Sequence, residues 1–168
     1  MVAGAACGGE ASAEETWADS VCTDVGTWQA ELEQAEEDIR TALQSPGTET
    51  LAAIDTAVRQ AVEATRTLSD DLEALEAPET ESGAQAKQQL DALATQLEST
   101  ATKARQILDS VAQGADPIEA AQELAALTPE VQSATANASR TLEAIQASGN
   151  DLRKGFEDAD SCDQFRSG

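Results

Sequence analysis

From Trp17 to Leu43 the apolar residues fall at Trp17, Val21, Val25, Trp28, Leu32, Ala35, Ile39 and Leu43, always three or four positions apart. That spacing puts all of them on one face of an α-helix, whereas a strand would need a period of two. The pattern recurs three times. Leu51, Ile54, Val58, Val62, Thr65, Leu68, Leu72 and Leu75 form a second stripe, and Leu90, Leu93, Leu97, Ala101, Ala104, Leu108 and Val111 a third. Val131, Ala134, Ala138, Leu142, Ile145, Gly149, Leu152 and Phe156 form the last. A chain of 168 residues carrying four such stripes is one all-α domain.

The breaks between stripes are marked by proline and glycine. "SPGT" at Ser45–Thr48 ends a first helix that the pattern predicts over about Glu14–Leu43. "APET" ends a second, over about Glu49–Ala77, at Pro78, and "GADP" ends a third, over about Thr80–Gln113. Asp116 followed by Pro117 reads as an N-cap with proline in the first helical position, opening a short helix to about Leu127. Thr128 and Pro129 repeat the signal and open a last long helix, in which "SGND" at Ser148–Asp151 marks a fraying point or bend. Four long segments of roughly 30 to 35 residues would each measure about 45–50 Å. Matched lengths and short connections predict an elongated antiparallel four-helix bundle, with the short helix joining the third and fourth long ones. The bundle domain is expected over 14–165, preceded by a disordered tether over 1–13.

Composition fits slender helices. Alanine dominates the apolar fraction, and the chain holds two Trp, two Phe and no Tyr. All four rings lie toward the chain ends: Trp17 and Trp28 beside Cys22, Phe156 and Phe165 beside Cys162. In an up-and-down bundle they would share one end. There they would form an aromatic plug, with Gly26, Gly149 and Gly155 giving the rings room, or a small apolar pocket or docking face for a partner.

The charge is strongly one-sided, 32 acidic residues against 10 basic for a net −22, and no Lys or Arg precedes Arg40. Binding to phosphates by counterion release requires clustered Lys and Arg. The longest basic run here is Arg153-Lys154, which argues against nucleic acid and anionic lipid as partners. The acidic surface reads as a source of solubility and mutual repulsion.

Several chemistries are excluded or unsupported. The chain has no histidine, which removes Ser-His-Asp and Cys-His arrangements, zinc motifs built on His and the Glu-x-x-His pairs of di-metal bundles. Neither a phosphate-binding glycine loop nor an EF-hand loop occurs. "ELEQAEED" at Glu31–Asp38 spreads its carboxylates around a helix, whereas calcium needs six to eight converging oxygens, so it reads as a solvated face. "NAS" at Asn137–Ser139 matches a glycosylation sequon but falls inside a helical stripe. No catalytic residue, metal ligand or cofactor is expected.

The three cysteines, Cys7, Cys22 and Cys162, are odd in number, which in an exported protein points to one pair and one thiol with another fate. With an even number of alternating helices, Cys22 and Cys162 come to the same end of the bundle and can be joined. Two free buried thiols in a reducing compartment are the alternative. "AGAAC" before Gly8 resembles a lipobox, whose cysteine receives a diacylglyceryl group and becomes the mature N-terminus. Gly4 stands where that motif usually has Leu. Six residues are too few for a basic and an apolar leader region, so the expectation is a start codon placed too far downstream or a leader removed. The alternative is an incidental cysteine in a disordered tail.

With "AGAAC" at the front, "WADSVCTDVGTW" opening the first helix and "DADSC" closing the last, the chain resembles small secreted or lipid-anchored helical proteins of actinobacteria. The resemblance implies export, a lipid anchor at Cys7 and a Cys22–Cys162 bridge, and it implies no reaction. The expected role is that of an extracytoplasmic, non-catalytic binding or scaffold module, tethered to the membrane and meeting an envelope protein or the cell wall. A sensor-like bundle holding a small ligand near Trp17, Trp28 and Phe156 is the alternative. A cytosolic helical protein with free cysteines, paired with a partner helix, is the third reading.

Overall fold

The chain enters its first helix through a reciprocal cap. Ser12 Oγ accepts the Glu15 N–H at 3.1 Å, while the Glu15 carboxylate accepts the Ser12 N–H at 3.3 Å. This S-x-x-E capping box satisfies two backbone donors that the first turn would leave unpaired. The structure, a computed structural model, describes residues 11–44, 50–113 and 117–165. Five α-helices follow in order: α1 Ala13–Gln44, α2 Thr50–Ala74, α3 Glu81–Ala112, α4 Pro117–Ala147 and α5 Asn150–Asp158. A 3-10 helix over Asp160–Phe165 closes the order, and no strand occurs among the described residues.

The fold is thus all-helical, as the stripes predict, but its second half is divided differently. The expected short connecting helix over Pro117–Leu127 is not separate. It runs on through Thr128 and Pro129 as the single helix α4. A proline inside a helix removes one backbone hydrogen bond and leaves a carbonyl one turn earlier without its donor. Pro129 lies on the exposed face, where water can take that donor's place. The break falls instead at Ser148–Gly149, inside the stretch expected to be one long helix. Ser148 turns both its N–H (3.0 Å) and its hydroxyl (2.7 Å) to the Ile145 carbonyl, which finishes α4. Gly149 is extended, and a Cβ there would stand 2.8 Å from Ser82 Cβ, so the chain passes close against the start of α3.

Packing follows chain order, with α1 on α2, α2 on α3 and α3 on α4; α5 and the 3-10 helix then return to α1. The stripes supply the core. Val21, Val25, Leu68, Leu72, Leu90, Leu97, Leu142, Ile145 and Leu152 are fully or almost fully buried in one cluster, together with Trp28 and Phe156. Val131 departs from its stripe and is exposed.

Polar groups tie the layers together. Ser69, buried on α2, donates to the Ala94 carbonyl of α3 at 2.9 Å. Asn137 on α4, the sequon residue, donates its amide to Gln96 Oε1 on α3 at 3.0 Å. Thr80 caps α3 by accepting the Gly83 N–H at 2.9 Å. The Lys87 ammonium on α3 reaches the Leu72 and Glu73 carbonyls at 3.3 and 3.0 Å and also pairs with Asp91. It therefore sits at the negative end of α2, where a cation is favoured.

Candidate functional site

The residues singled out for chemistry gather around the N-terminal half of α1. Val21 and Val25 face inward because they belong to its apolar stripe, and Cys22, next to Val21 at the edge of that stripe, is wholly buried. The 3-10 helix brings Cys162, equally buried, to it. The two are joined as a disulfide across a sequence separation of 140, with Cα atoms 5.1 Å apart. Beside the bridge the Ser161 hydroxyl donates to the Asp19 carbonyl at 3.0 Å. The third cysteine, Cys7, lies outside the described residues, as does most of the expected tether.

The aromatic residues are distributed between two settings. Trp17 meets Phe156 edge to face, with ring centroids 6.0 Å apart and planes at 85°, an arrangement favoured by the ring quadrupoles. Phe165 packs, half-buried, against the same cluster. Trp28, three turns further along α1, turns instead to α2. Its indole N–H donates to the Thr65 hydroxyl at 3.1 Å, and that hydroxyl donates in turn to the Ala61 carbonyl at 2.7 Å. Trp17 has no such partner: its indole nitrogen is buried, and no acceptor among the described residues is in hydrogen-bond reach.

The room at Gly26, Gly149 and Gly155, expected from sequence to serve the rings, is taken first by other groups. At Gly26 the neighbour is the Gln164 side chain, at Gly149 it is Ser82, and at Gly155 it is the backbone of Glu14. Trp17 and Trp28 are 4 and 2 % exposed and Phe156 is 1 %, so their faces are turned to other side chains.

Two surface grooves lie elsewhere, and none of the four aromatic residues lines either. One, of about 510 Å³ between α3 and α4, is walled by hydroxyls of Thr95, Ser99 and Ser133 and crossed by the Lys103–Glu130 ion pair at 2.8 Å. The other, of about 540 Å³ between α1 and α2, is walled by Asp19, Ser20, Thr23, Asp24 and Asp71. Burial, and then the nearby charge of Asp71, push the Asp24 carboxyl above its ordinary value of 3.8.

Among the described residues no three Cys, Asp or Glu side chains are placed to hold a metal ion. No helix among them is long and apolar enough to cross a membrane. The arrangement is a crosslinked apolar junction of α1 with the C-terminal segment, and the groove between α1 and α2 is acidic. The chain matches no protein family, no curated protein and no solved structure.

Proposed function

We propose that the chain is a non-catalytic binding or scaffold module of the cell envelope, exported and held at the membrane by a lipid on Cys7. The observation that carries this reading is the pairing of Cys22 with Cys162. Disulfides persist in oxidising compartments, and with two of the three cysteines in one bond Cys7 is left with a different fate. The lipobox-like "AGAAC" gives that fate a chemistry, and because α1 starts at Ala13, only a few residues after Cys7 in the sequence, an anchor on Cys7 would hold the crosslinked end of the domain near the membrane. In this reading α1, α2 and α3 alternate in direction as three members of an antiparallel bundle, and α4 with α5 together fill the fourth position. The absence of histidine and the net charge of −22 favour a module that presents a surface rather than one that turns over a substrate. The partner is an envelope protein or the cell wall.

Mass spectrometry of unreduced protein isolated from its native membrane tests the reading. The expected result is an N-terminal peptide beginning at a diacylglyceryl-modified Cys7, together with a linked Cys22–Cys162 peptide. An unmodified Cys7, with Cys22 and Cys162 alkylated without reductant, would overturn it.

A small-ligand sensor is the second reading, and the acceptor-free indole N–H of Trp17 is the observation in its favour. Tryptophan emission titrated against a metabolite panel tests it. A saturable shift is its expected result, and a flat response across the panel removes it.

A further inference from the structure

We propose that the segment from Asn150 to Phe165 is a strap over the N-terminal half of α1, fastened by Cys22–Cys162 and released when a dithiol reductant opens that bond.

The strap is a structural unit of its own. Ser148 finishes α4 by turning two donors to Ile145, and the extended Gly149 separates it from α5. The elements beyond this break span only nine and six residues, too short to persist as isolated helices. Their order therefore depends on what they lie against, and that is chiefly α1. On the strap side Leu152, Phe156, Ala159 and Cys162 are buried. On the α1 side Trp17, Ala18, Val21, Cys22 and Val25 are buried, none more than 4 % exposed.

Two features oppose closure. First, the seal shuts the Trp17 indole N–H away from water without giving it an acceptor. A buried donor left unmade is unfavourable, and lifting the strap restores its hydration. Second, the strap brings Asp151, Asp158 and Asp160 to a stretch of α1 that carries Glu14, Glu15, Asp19 and Asp24 and no basic residue, while Arg153 on the strap is paired with Glu157. Like charges gathered on two packed elements repel. Apolar contact and the disulfide hold the strap against both.

Release is an exchange of thiols for a disulfide. A thiolate of the dithiol attacks one sulfur of the pair, and the other cysteine leaves as a thiolate that takes up a proton. The second thiol of the reductant then displaces the remaining cysteine. Two electrons and two protons pass from the dithiol to Cys22 and Cys162, and the dithiol becomes a disulfide. Both sulfurs are buried, so exchange follows transient lifting of the strap.

The test uses the full chain, oxidised and after dithiothreitol under native conditions, with alkylation and mass spectrometry to count reduced cysteines. Trypsin cleaves after Arg153 and Lys154 within the strap, and Lys103, Arg105 and Arg140 serve as internal controls. Reduction is expected to speed cleavage at Arg153 and Lys154 by about tenfold or more, since proteolysis follows the population of the open form. Cleavage at the control sites and far-UV circular dichroism should stay near their oxidised values. In a Trp28→Phe background, Trp17 emission should move to the red as its ring meets water. Cys162→Ser should show the same pattern without reductant. A bond that resists dithiothreitol in the folded protein would overturn the proposal. So would unchanged cleavage at Arg153 and Lys154 after reduction, or acceleration at all sites together with loss of helicity.

Discussion

Gly155 lies against the backbone of Glu14, so closely that a Cβ on it would stand 2.7 Å from both the carbonyl carbon and the carbonyl oxygen. No side chain can swing aside there, because the obstacle is the first turn of α1 itself. The helix pair α1–α5 is thus seated by backbone contact, with the Trp17–Phe156 ring pair and the disulfide arranged around it.

Gly155→Ala is therefore expected to destabilise the oxidised protein. Alanine gains up to about 1 kcal/mol of helix propensity over glycine, but overpacking against fixed backbone costs about 1–3 kcal/mol. The expected net loss is up to about 2 kcal/mol in urea denaturation. Gly26→Ala is the control. Its neighbour is the far end of the Gln164 side chain, which can move, so the same substitution should be neutral or mildly stabilising.

Thr65→Val keeps the shape of the side chain while removing the acceptor of the Trp28 indole N–H. A buried donor stripped of its partner costs about 1–3 kcal/mol. Thermal unfolding should shift down accordingly. Adding Trp28→Phe to Thr65→Val should cost less than the sum of the two single changes, since the orphaned donor is then gone; additive losses would show that the hydrogen bond contributes nothing.

Lys87→Met retains the apolar stem but removes the ammonium that meets the last carbonyls of α2 and Asp91. A loss of about 1 kcal/mol is expected at low salt. Because part of it is electrostatic, the difference from the unmodified chain should shrink in high salt. Paired urea melts at two ionic strengths measure this directly.

Asp24 gives a pH dependence of defined sign. Its carboxyl is held above 3.8 in the folded chain, so the folded state binds its proton more tightly than the unfolded state does. Stability from this group is gained as the pH falls through the raised folded value and is complete below 3.8. Asp24→Asn removes the charge that burial and Asp71 penalise. The variant should be more stable than the parent at neutral pH, by under about 1 kcal/mol for a position only partly buried, and the two profiles should converge in acid. Denaturation midpoints across the pH range decide it.

Much of the fold is legible in the spacing of apolar residues. The stripes of α1, α2 and α3 are visible from Trp17 onward, and their bounds fall within a few residues of the observed helices. The second half is harder to read because local signals compete with the surrounding structure. Thr128-Pro129 has the form of a helix start, yet helix continues on both sides and Pro129 faces water, so the chain runs through it. Gly149 sits in register with its stripe, yet Ser148 ends the helix one residue earlier. The S-x-x-E pattern at Ser12 was there to be read as a start signal, although the expected first helix rests on the apolar stripe alone. The Trp28–Thr65 and Ser69–Ala94 bonds were not, since each depends on how two helices are rotated against one another. The same holds for Gly155. Sequence marks it as a small residue near aromatic ones, and only the crossing of α5 over α1 shows that it yields space to a carbonyl.

The bond between Cys22 and Cys162 also decides where tension travels. It turns the chain between them into a covalent ring with a sequence separation of 140. If the front of the chain is fixed and the rear is pulled, the load passes along the first residues, through the two sulfurs and out along the last. The helices inside the ring carry none of it. A pull applied outside the pair would leave the residues between Cys22 and Cys162 unextended for as long as the sulfurs stay joined.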